Sequence, residues 1–282
     1  MSKRQLPEIR LPEAPAAVDF AVNPKARAAF DPNVVAAAKD DRTITILDEI
    51  GENWDGTGVT PNRISAALRS IGPKPLTVQI NSPGGNFWDG LAIYNMLRQH
   101  PETVTVQVLG IAASAASIIA MAGDEIQIAK AGLMMIHNTQ WIALGDRHVF
   151  TATAEAMAVF DDLMAGLYVD RTGAARADIV KMMDAETFMS GEDAVADGFA
   201  DALLPADKVT VTNHGELPAH RKIAAALAHA KMPRSQIRAL MKELQEDMPS
   251  AASDPAMPSA GDEAEGLSHL IAAAMKLKLA RA

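Results

Sequence analysis

Between Arg42 and about Pro205 the hydrophobic pattern switches repeatedly between a period of two and a period near 3.6. RTITILDEIG (42–51) alternates apolar and polar positions, as a strand with one buried face does. Thr60-Pro61 then supplies an N-cap and a first-turn proline, and ISAALRSIG carries the predicted helix to a closing glycine at Gly72. LTVQI (76–80) reads as a strand, stopped by the breaker cluster Asn81-Ser82-Pro83-Gly84-Gly85. Asp89 to His100 is predicted as an amphipathic helix with Leu91, Tyr94, Met96 and Leu97 on its apolar side. TVTVQVLG (103–110) predicts a strand ending at Gly110, and Ala112 to Gly123 an alanine-rich helix. EIQIA and LMMIH predict two short strands, and a long helix is expected from about Thr151 to Arg171. Strands and helices in alternation imply an α/β layered domain rather than a bundle or a sandwich.

The flanks have a different texture. Residues 1–41 combine several prolines and many alanines with weak periodicity, and read as an N-terminal arm or pro-segment ahead of a domain spanning 42–205. Residues 206–282 read as a mostly helical extension. It opens with a short strand at KVTVT and continues as a helical run from Ala219 to about Met248. PSAASDPAMPSAGDEAEG (249–266) is a linker by composition, and a terminal helix follows from Leu267 to Ala282.

Composition narrows the class. Forty-nine per cent of the 282 residues are hydrophobic, enough for a packed core. Twenty-six Lys and Arg against 35 Asp and Glu leave a net charge of −9, and no basic stretch is long enough to follow a phosphate backbone, so no nucleic-acid partner is expected. Cysteine is absent, which removes disulfides, zinc–thiolate sites and a cysteine nucleophile. The longest uncharged stretch, VLGIAASAASIIAMAG (108–123), is shorter than the roughly 20 apolar residues of a membrane span and is rich in small residues. It reads as a tightly packed buried element. Without an apolar run after Lys3, Arg4 and Arg10, a secretory signal is not expected, and the expectation is a cytoplasmic protein with no membrane partner.

Chemistry is suggested at two places. INSPGG (80–85) runs a strand into two glycines, which let a backbone N–H approach a ligand closely, although taken alone an ordinary strand–helix connection accounts for it better. GIAASAAS (110–117) places Ser114 where a strand gives way to a helix, beside free backbone N–H groups. A serine there suits a nucleophile whose acyl intermediate is stabilised by the N–H of the next residue, Ala115. Of the seven histidines, only His137 ends a continuous apolar run and is held by a buried strand. A serine nucleophile needs such an imidazole, and a carboxylate to orient it. Asp184, Glu186, Asp193, Asp197 and Asp201 are all candidate acids, and spacing does not choose among them.

Together these blocks resemble the Clp peptidase (ClpP) family, in particular its phage branch of Clp-like prohead or head-maturation proteases. They are ILDEIG (46–51), INSPGGNFWDGLAIYNML (80–97), GIAASAASIIAMAGDEI (110–126), LMMIH (133–137) and DAETFMSGEDAVADGFAD (184–201), in the family's order. The resemblance implies a ClpP/crotonase-like layered fold of repeated ββα units. It implies Ser114 as nucleophile, His137 as general base, and the N–H groups of Gly85 and Ala115 as the oxyanion hole. The family's aspartate falls on Glu186, a departure that leaves Asp184 as the alternative acid, and Asn138-Thr139 stands where the family usually has Gln-Pro. Ser117, one helical turn after Ser114, is expected to pack inward.

The implied activity is serine endopeptidase, with no metal or organic cofactor. The implied substrates are polypeptides: scaffold, capsid protein or the chain's own termini, in the host cytoplasm or procapsid. The resemblance further implies a homo-oligomeric ring, with the helix at 151–171 between rings, and the alternative of a general proteolytic subunit. No G-x-x-x-x-G-K-[ST] motif is present, so any ATPase would be a separate partner. The competing readings are a non-catalytic capsid-assembly protein, an acyl-CoA enzyme of the crotonase type, and a membrane-anchored serine–lysine peptidase.

Overall fold

A computed structural model describes residues 18–20, 22–36, 40–53, 57–211, 223, 227, 232 and 234–246. The chain divides into two units, Met1–Glu243 and Leu244–Ala282, and the second is described only at 244–246, the end of a helix. In the first unit the elements begin with β1 (Val18–Phe20), α1 (Pro24–Ala29), β2 (Val34–Ala36), β3 (Thr43–Ile46), α2 (Pro61–Ile71), β4 (Leu76–Ser82) and α3 (Phe87–Gln99). They continue with β5 (Val104–Ala113), α4 (Ala115–Ala120), β6 (Glu125–Ala129), β7 (Leu133–Ile136), β8 (Trp141–Ala143) and α5 (Arg147–Thr172). Then come α6 (Arg176–Asp184), β9 (Thr187–Ser190), α7 (Gly191–Ala196), β10 (Ala202–Leu204) and β11 (Val209–Val211). A last helix, α8 (Arg234–Glu246), falls inside the predicted helical run. The linker at 249–266, the terminal helix at 267–282 and the rest of that run, apart from the isolated positions above, lie outside the described residues.

Among the described residues the main sheet has seven strands. Five run parallel in the order β10-β6-β5-β4-β3, β7 pairs with the far end of β5, and β9 pairs antiparallel with β7. One face carries Ile44, Ile46, Val78, Ile80, Val104, Val106, Val108, Ile126 and Ile128, all buried in the core with residues of α3, α4 and α5. The opposite face carries threonine and glutamine in register. Gln79 donates to Gln107 at 3.4 Å, Gln107 to Gln127 at 3.1 Å, and Gln127 to Glu125 at 2.8 Å. Parallel strands covered on both faces are usually continuously apolar. Here only one face is apolar, which is why these strands show the alternation that reveals them in the sequence.

One expected boundary is wrong in an instructive place. The strand does not end at Gly110 and no helix starts at Ala112, because β5 continues to Ala113 by changing neighbours. It pairs with β6 through Val108 and with β7 from Ile111 to Ala113. Its register with β4 shifts between Ile80 and Ser82. At that shift the buried Asn81 accepts from the Ile111 N–H at 3.1 Å and donates to the carbonyls of Asp31 and Val34 at 2.7 and 3.0 Å. Alanine's helix propensity is a few tenths of a kcal/mol per residue, about the size that sheet pairing in a core overrides. Two helix starts also move upstream of the expected ones: α3 begins at Phe87 with Asn86 as its cap, and α5 at Arg147 capped by Asp146.

The described part of the N-terminal segment lies against the rest of the first unit. β1 pairs with β8 and β2 with β11, both antiparallel. Asn23 caps α1, and Ala26 is buried with Ile111, Ala113 and Met135, next to the catalytic candidates. Arg27 pairs with Glu49 at 2.7 Å. The β11 strand is the one expected at KVTVT.

Candidate active site

Ser114 sits between β5 and α4 with φ 54° and ψ −124°, a left-handed conformation that a residue with a Cβ avoids at a cost of about 1–3 kcal/mol. The surroundings hold it there. Its N–H donates to the Met135 carbonyl on β7 at 3.0 Å. Its carbonyl accepts from Ser117 N at 2.9 Å, Ile118 N at 3.3 Å and Ser117 Oγ at 2.6 Å. Ser117 is fully buried and also lies 2.8 Å from the Tyr168 hydroxyl on α5. Ser117 packs inward, as its place one helical turn after Ser114 leads one to expect.

The Ser-Pro-Gly-Gly turn packs directly on the serine. Gly84 has φ 90°, and a Cβ there would stand 2.7 Å from Ser114 Cβ and 3.2 Å from Ala115 N. Gly85 has φ 147°, and its Cβ would meet the Ile50 carbonyl oxygen at 2.2 Å. Ile50 N donates to the Gly84 carbonyl and Asn86 N to the Ile50 carbonyl, each at 2.9 Å, so the turn is held from the side away from Ser114. Both positive φ values and both close approaches explain why only glycine serves at 84 and 85. The backbone of Gly84 is thereby packed against Ser114 and Ala115, with Gly85 next along the turn.

His137 follows directly after β7, and its Nε2 is 2.7 Å from Ser114 Oγ. The pair is brought together because β7 runs beside the last three residues of β5. Burial pushes the imidazole pKa down to about 4, and the charge of Glu186 opposes that shift. A neutral imidazole accepting from Ser114 at Nε2 carries its proton on Nδ1. That Nδ1 is buried and has no hydrogen-bond partner among the described residues.

Neither candidate acid is bonded to His137. Glu186, itself at φ 48°, holds Lys25 Nζ at 2.8 Å and accepts from Gln140 Nε2 at 3.0 Å. Lys25 is the largest cause holding its carboxyl below the ordinary range. Asp184 accepts from Asn138 at 2.8 Å. The electrostatic coupling to His137 belongs to Glu186. A further carboxylate, Asp161 on α5, accepts from both the N–H (2.7 Å) and the hydroxyl (2.8 Å) of Thr139, two residues after the base. Burial raises the Asp161 pKa against those bonds.

Sequence reasoning did not anticipate Lys25, Gln140, Asp161 or Tyr168. Tyr168 lies 51 residues from Ser117 and Asp161 is 22 from Thr139, and no local motif joins them. Only the replacement of Gln-Pro by Asn138-Thr139 hinted that the strand after the base is anchored differently. Among the described residues no group of three or more His, Asp or Glu side chains could hold a metal ion. No described helix is long and apolar enough to cross a membrane. The chemistry this arrangement supports is hydroxyl activation by a neutral imidazole beside two closely packed backbone turns.

Comparison with known proteins gives the family. The model of the Clp protease family matches residues 28–207. The ATP-dependent Clp protease proteolytic subunit of Nephroselmis olivacea is 32% identical over 141 residues, 49% of this chain and 68% of that protein. Its counterpart in Pleurastrum terricola is 33% identical over 138 residues, 48% of this chain and 69% of that one. Among solved structures, a ClpP1 point mutant from Listeria monocytogenes is similar with a TM-score of 0.50 at 26% identity, covering 58% of this chain and 92% of that one.

Proposed function

This chain belongs to the Clp protease family, a family of peptidases, and from that premise we propose that it is a serine endopeptidase working through Ser114 and His137. The observation that carries the reading is the 2.7 Å contact between His137 Nε2 and Ser114 Oγ at a strained serine. Ser114 Oγ attacks a peptide carbonyl and its proton passes to His137 Nε2. The N–H groups of Gly85 and Ala115 hold the oxyanion. His137 then gives the proton to the leaving amine, and water, deprotonated by the same imidazole, releases the acyl group.

Glu186 is the acid of this proposal. Its coupling to His137 supports it, and so does the bare Nδ1 that an approaching carboxylate would satisfy. On a peptide substrate, Glu186→Gln is expected to lower kcat about 10–100-fold, whereas Asp184→Asn stays within about threefold. The reverse ranking would reassign the acid to Asp184.

For the biological role we propose a phage head-maturation protease acting on scaffold, capsid protein or its own termini. The extension beyond the family match, residues 208–282, supports a function added to the peptidase unit. A second reading, a proteolytic subunit served by a separate ATPase, is supported by the relatives named as ATP-dependent Clp proteolytic subunits. The shared chemistry is tested by fluorophosphonate labelling: wild type takes the label, Ser114→Ala does not, and Ser117→Ala does at the endpoint. Label retained in Ser114→Ala would remove the nucleophile from the proposal. Co-expression with a scaffold and capsid protein then separates the roles, since cleavage without nucleotide favours maturation and ATP dependence favours the unfoldase partnership.

A further inference from the structure

We infer that Ser117 and Tyr168 are positioning residues, a hydrogen-bonded relay that aims the Ala115 N–H at the oxyanion. The inference rests on the protease reading above and concerns how its oxyanion hole is kept in shape. Counting protons fixes the direction of the relay. Ser117 Oγ lies 2.6 Å from the Ser114 carbonyl oxygen, which can only accept, so the single hydroxyl proton of Ser117 is committed there. Ser117 Oγ is therefore the acceptor toward Tyr168, and the phenol, 2.8 Å away, donates. Tyr168 is completely buried, and that burial raises its pKa and keeps the proton on the phenol. The order is Tyr168 hydroxyl, Ser117 hydroxyl, Ser114 carbonyl.

The Ser114 carbonyl and the Ala115 N–H are opposite ends of one planar peptide group. Fixing the carbonyl fixes the direction of the N–H. That peptide needs fixing, because Ser114 at φ 54° relaxes toward ordinary backbone by rotations that swing the plane away. The two backbone donors to the carbonyl come from α4, which is only six residues long. The relay adds a third donor and ties it to α5, which is 26 residues long. A carbonyl that accepts a hydrogen bond also polarises its own peptide group, which makes the N–H at the other end a stronger donor. Neither side chain is placed to touch a substrate bound at Ser114 Oγ: both lie in the core behind it, with Tyr168 packed on Phe199 at a ring separation of 5.8 Å.

The test uses the full chain carrying Tyr168→Phe, Ser117→Ala, or both. The readouts are kcat and KM on a peptide substrate, affinity for a peptide boronate whose tetrahedral adduct occupies the oxyanion hole, and the thermal midpoint. Removing an oxyanion donor outright costs about 10²–10³ in rate, so misaiming one is expected to cost about tenfold in Ser117→Ala and about threefold in Tyr168→Phe. KM should stay within about twofold, and boronate affinity should weaken in step with kcat. The double variant should match Ser117→Ala alone, because Tyr168 acts only through Ser117. A lowered thermal midpoint with kcat and boronate affinity unchanged would overturn the inference, and so would additive losses in the double variant. Tyr168→Phe removes one atom and keeps the ring, so it reports even if Ser117→Ala folds poorly. Wild type that takes no fluorophosphonate at Ser114 would instead sink the protease reading itself.

Discussion

Ser114 trades stability for geometry at a single residue. Its left-handed backbone is held by a ring of hydrogen bonds, and the strain persists whatever side chain with a Cβ stands there. Ser114→Gly is therefore expected to unfold at a higher free energy than Ser114→Ala, by about 1 kcal/mol after glycine's greater chain entropy is subtracted, with both variants inactive. Parallel denaturant titrations check it. His137 makes a second residue-scale prediction. Its folded pKa of about 4 lies below the ordinary 6.5, so between those values the unfolded chain takes up a proton that the folded chain refuses. Stability therefore falls as pH drops through that window, by about 1.4 kcal/mol per pH unit at the steepest, and levels off below it. His137→Asn should lack that slope in unfolding experiments. Because Glu186 raises the imidazole pKa, Glu186→Gln should move the acid limb of the pH–rate profile further down. Gly85 is less forgiving than the oxyanion role proposed for it would alone require, since even a methyl there collides with the Ile50 carbonyl and should disturb folding as well as turnover.

At the scale of elements, the site exists because β5 is longer than the neighbour beside its first half. Its first part pairs with β6 and its last three residues with β7 in the same sheet, and Ser114 follows where the second pairing ends. His137 arrives at the end of β7, so one strand pairing sets the distance between the two. The strand signal of TVTVQV was legible because apolar side chains face the core at every second position, and that of LMMI because the run is apolar on both faces. The extension of β5 through Gly-Ile-Ala-Ala was not, because those residues suit a helix as well and only β7 decides. β9 was equally hidden: four residues, Thr187–Ser190, without a clear period, ordered by pairing with β7. The long helix α5 is anchored through Phe160, whose ring lies 5.5 Å from Phe87, 4.8 Å from Trp88 and 5.2 Å from Trp141. Phe160→Ala is expected to lower the unfolding free energy by about 3–5 kcal/mol, measured by chemical denaturation.

For the whole molecule, the same helix offers the handle on assembly. Phe150 and Val159 are about half exposed, at 51% and 52%, and Leu144 just before the helix is 89% exposed. Apolar surface of that kind on one element suits contact with further copies. If this chain assembles into a ring as the family resemblance implies, light scattering will give a mass several times 29.9 kDa. Phe150→Glu with Val159→Glu should then lower that mass while the circular dichroism spectrum stays unchanged. A mass unaffected by the pair of charges would place the assembly surface elsewhere. The net charge of −9 would make the assembled surface strongly acidic, so dissociation should also respond to salt.

The sequence by itself determined the layered α/β class, most of the longer strands and helices between Thr43 and Thr172, and the choice of a serine, a histidine and a glycine turn as candidates. Those are matters of local period, of residues that only certain backbones accept, and of blocks kept in a recognisable order. Tertiary structure alone decided what surrounds them. It turned Ser117 toward Tyr168, gave the Thr139 backbone to Asp161, and drew Glu186 to Lys25 and Gln140, leaving His137 Nδ1 with no partner among the described residues. Each of these contacts joins positions far apart along the chain through one or two side chains of common type. A short-range pattern carries no trace of such a meeting, because it is set by which strands pair and how the helices lie on them.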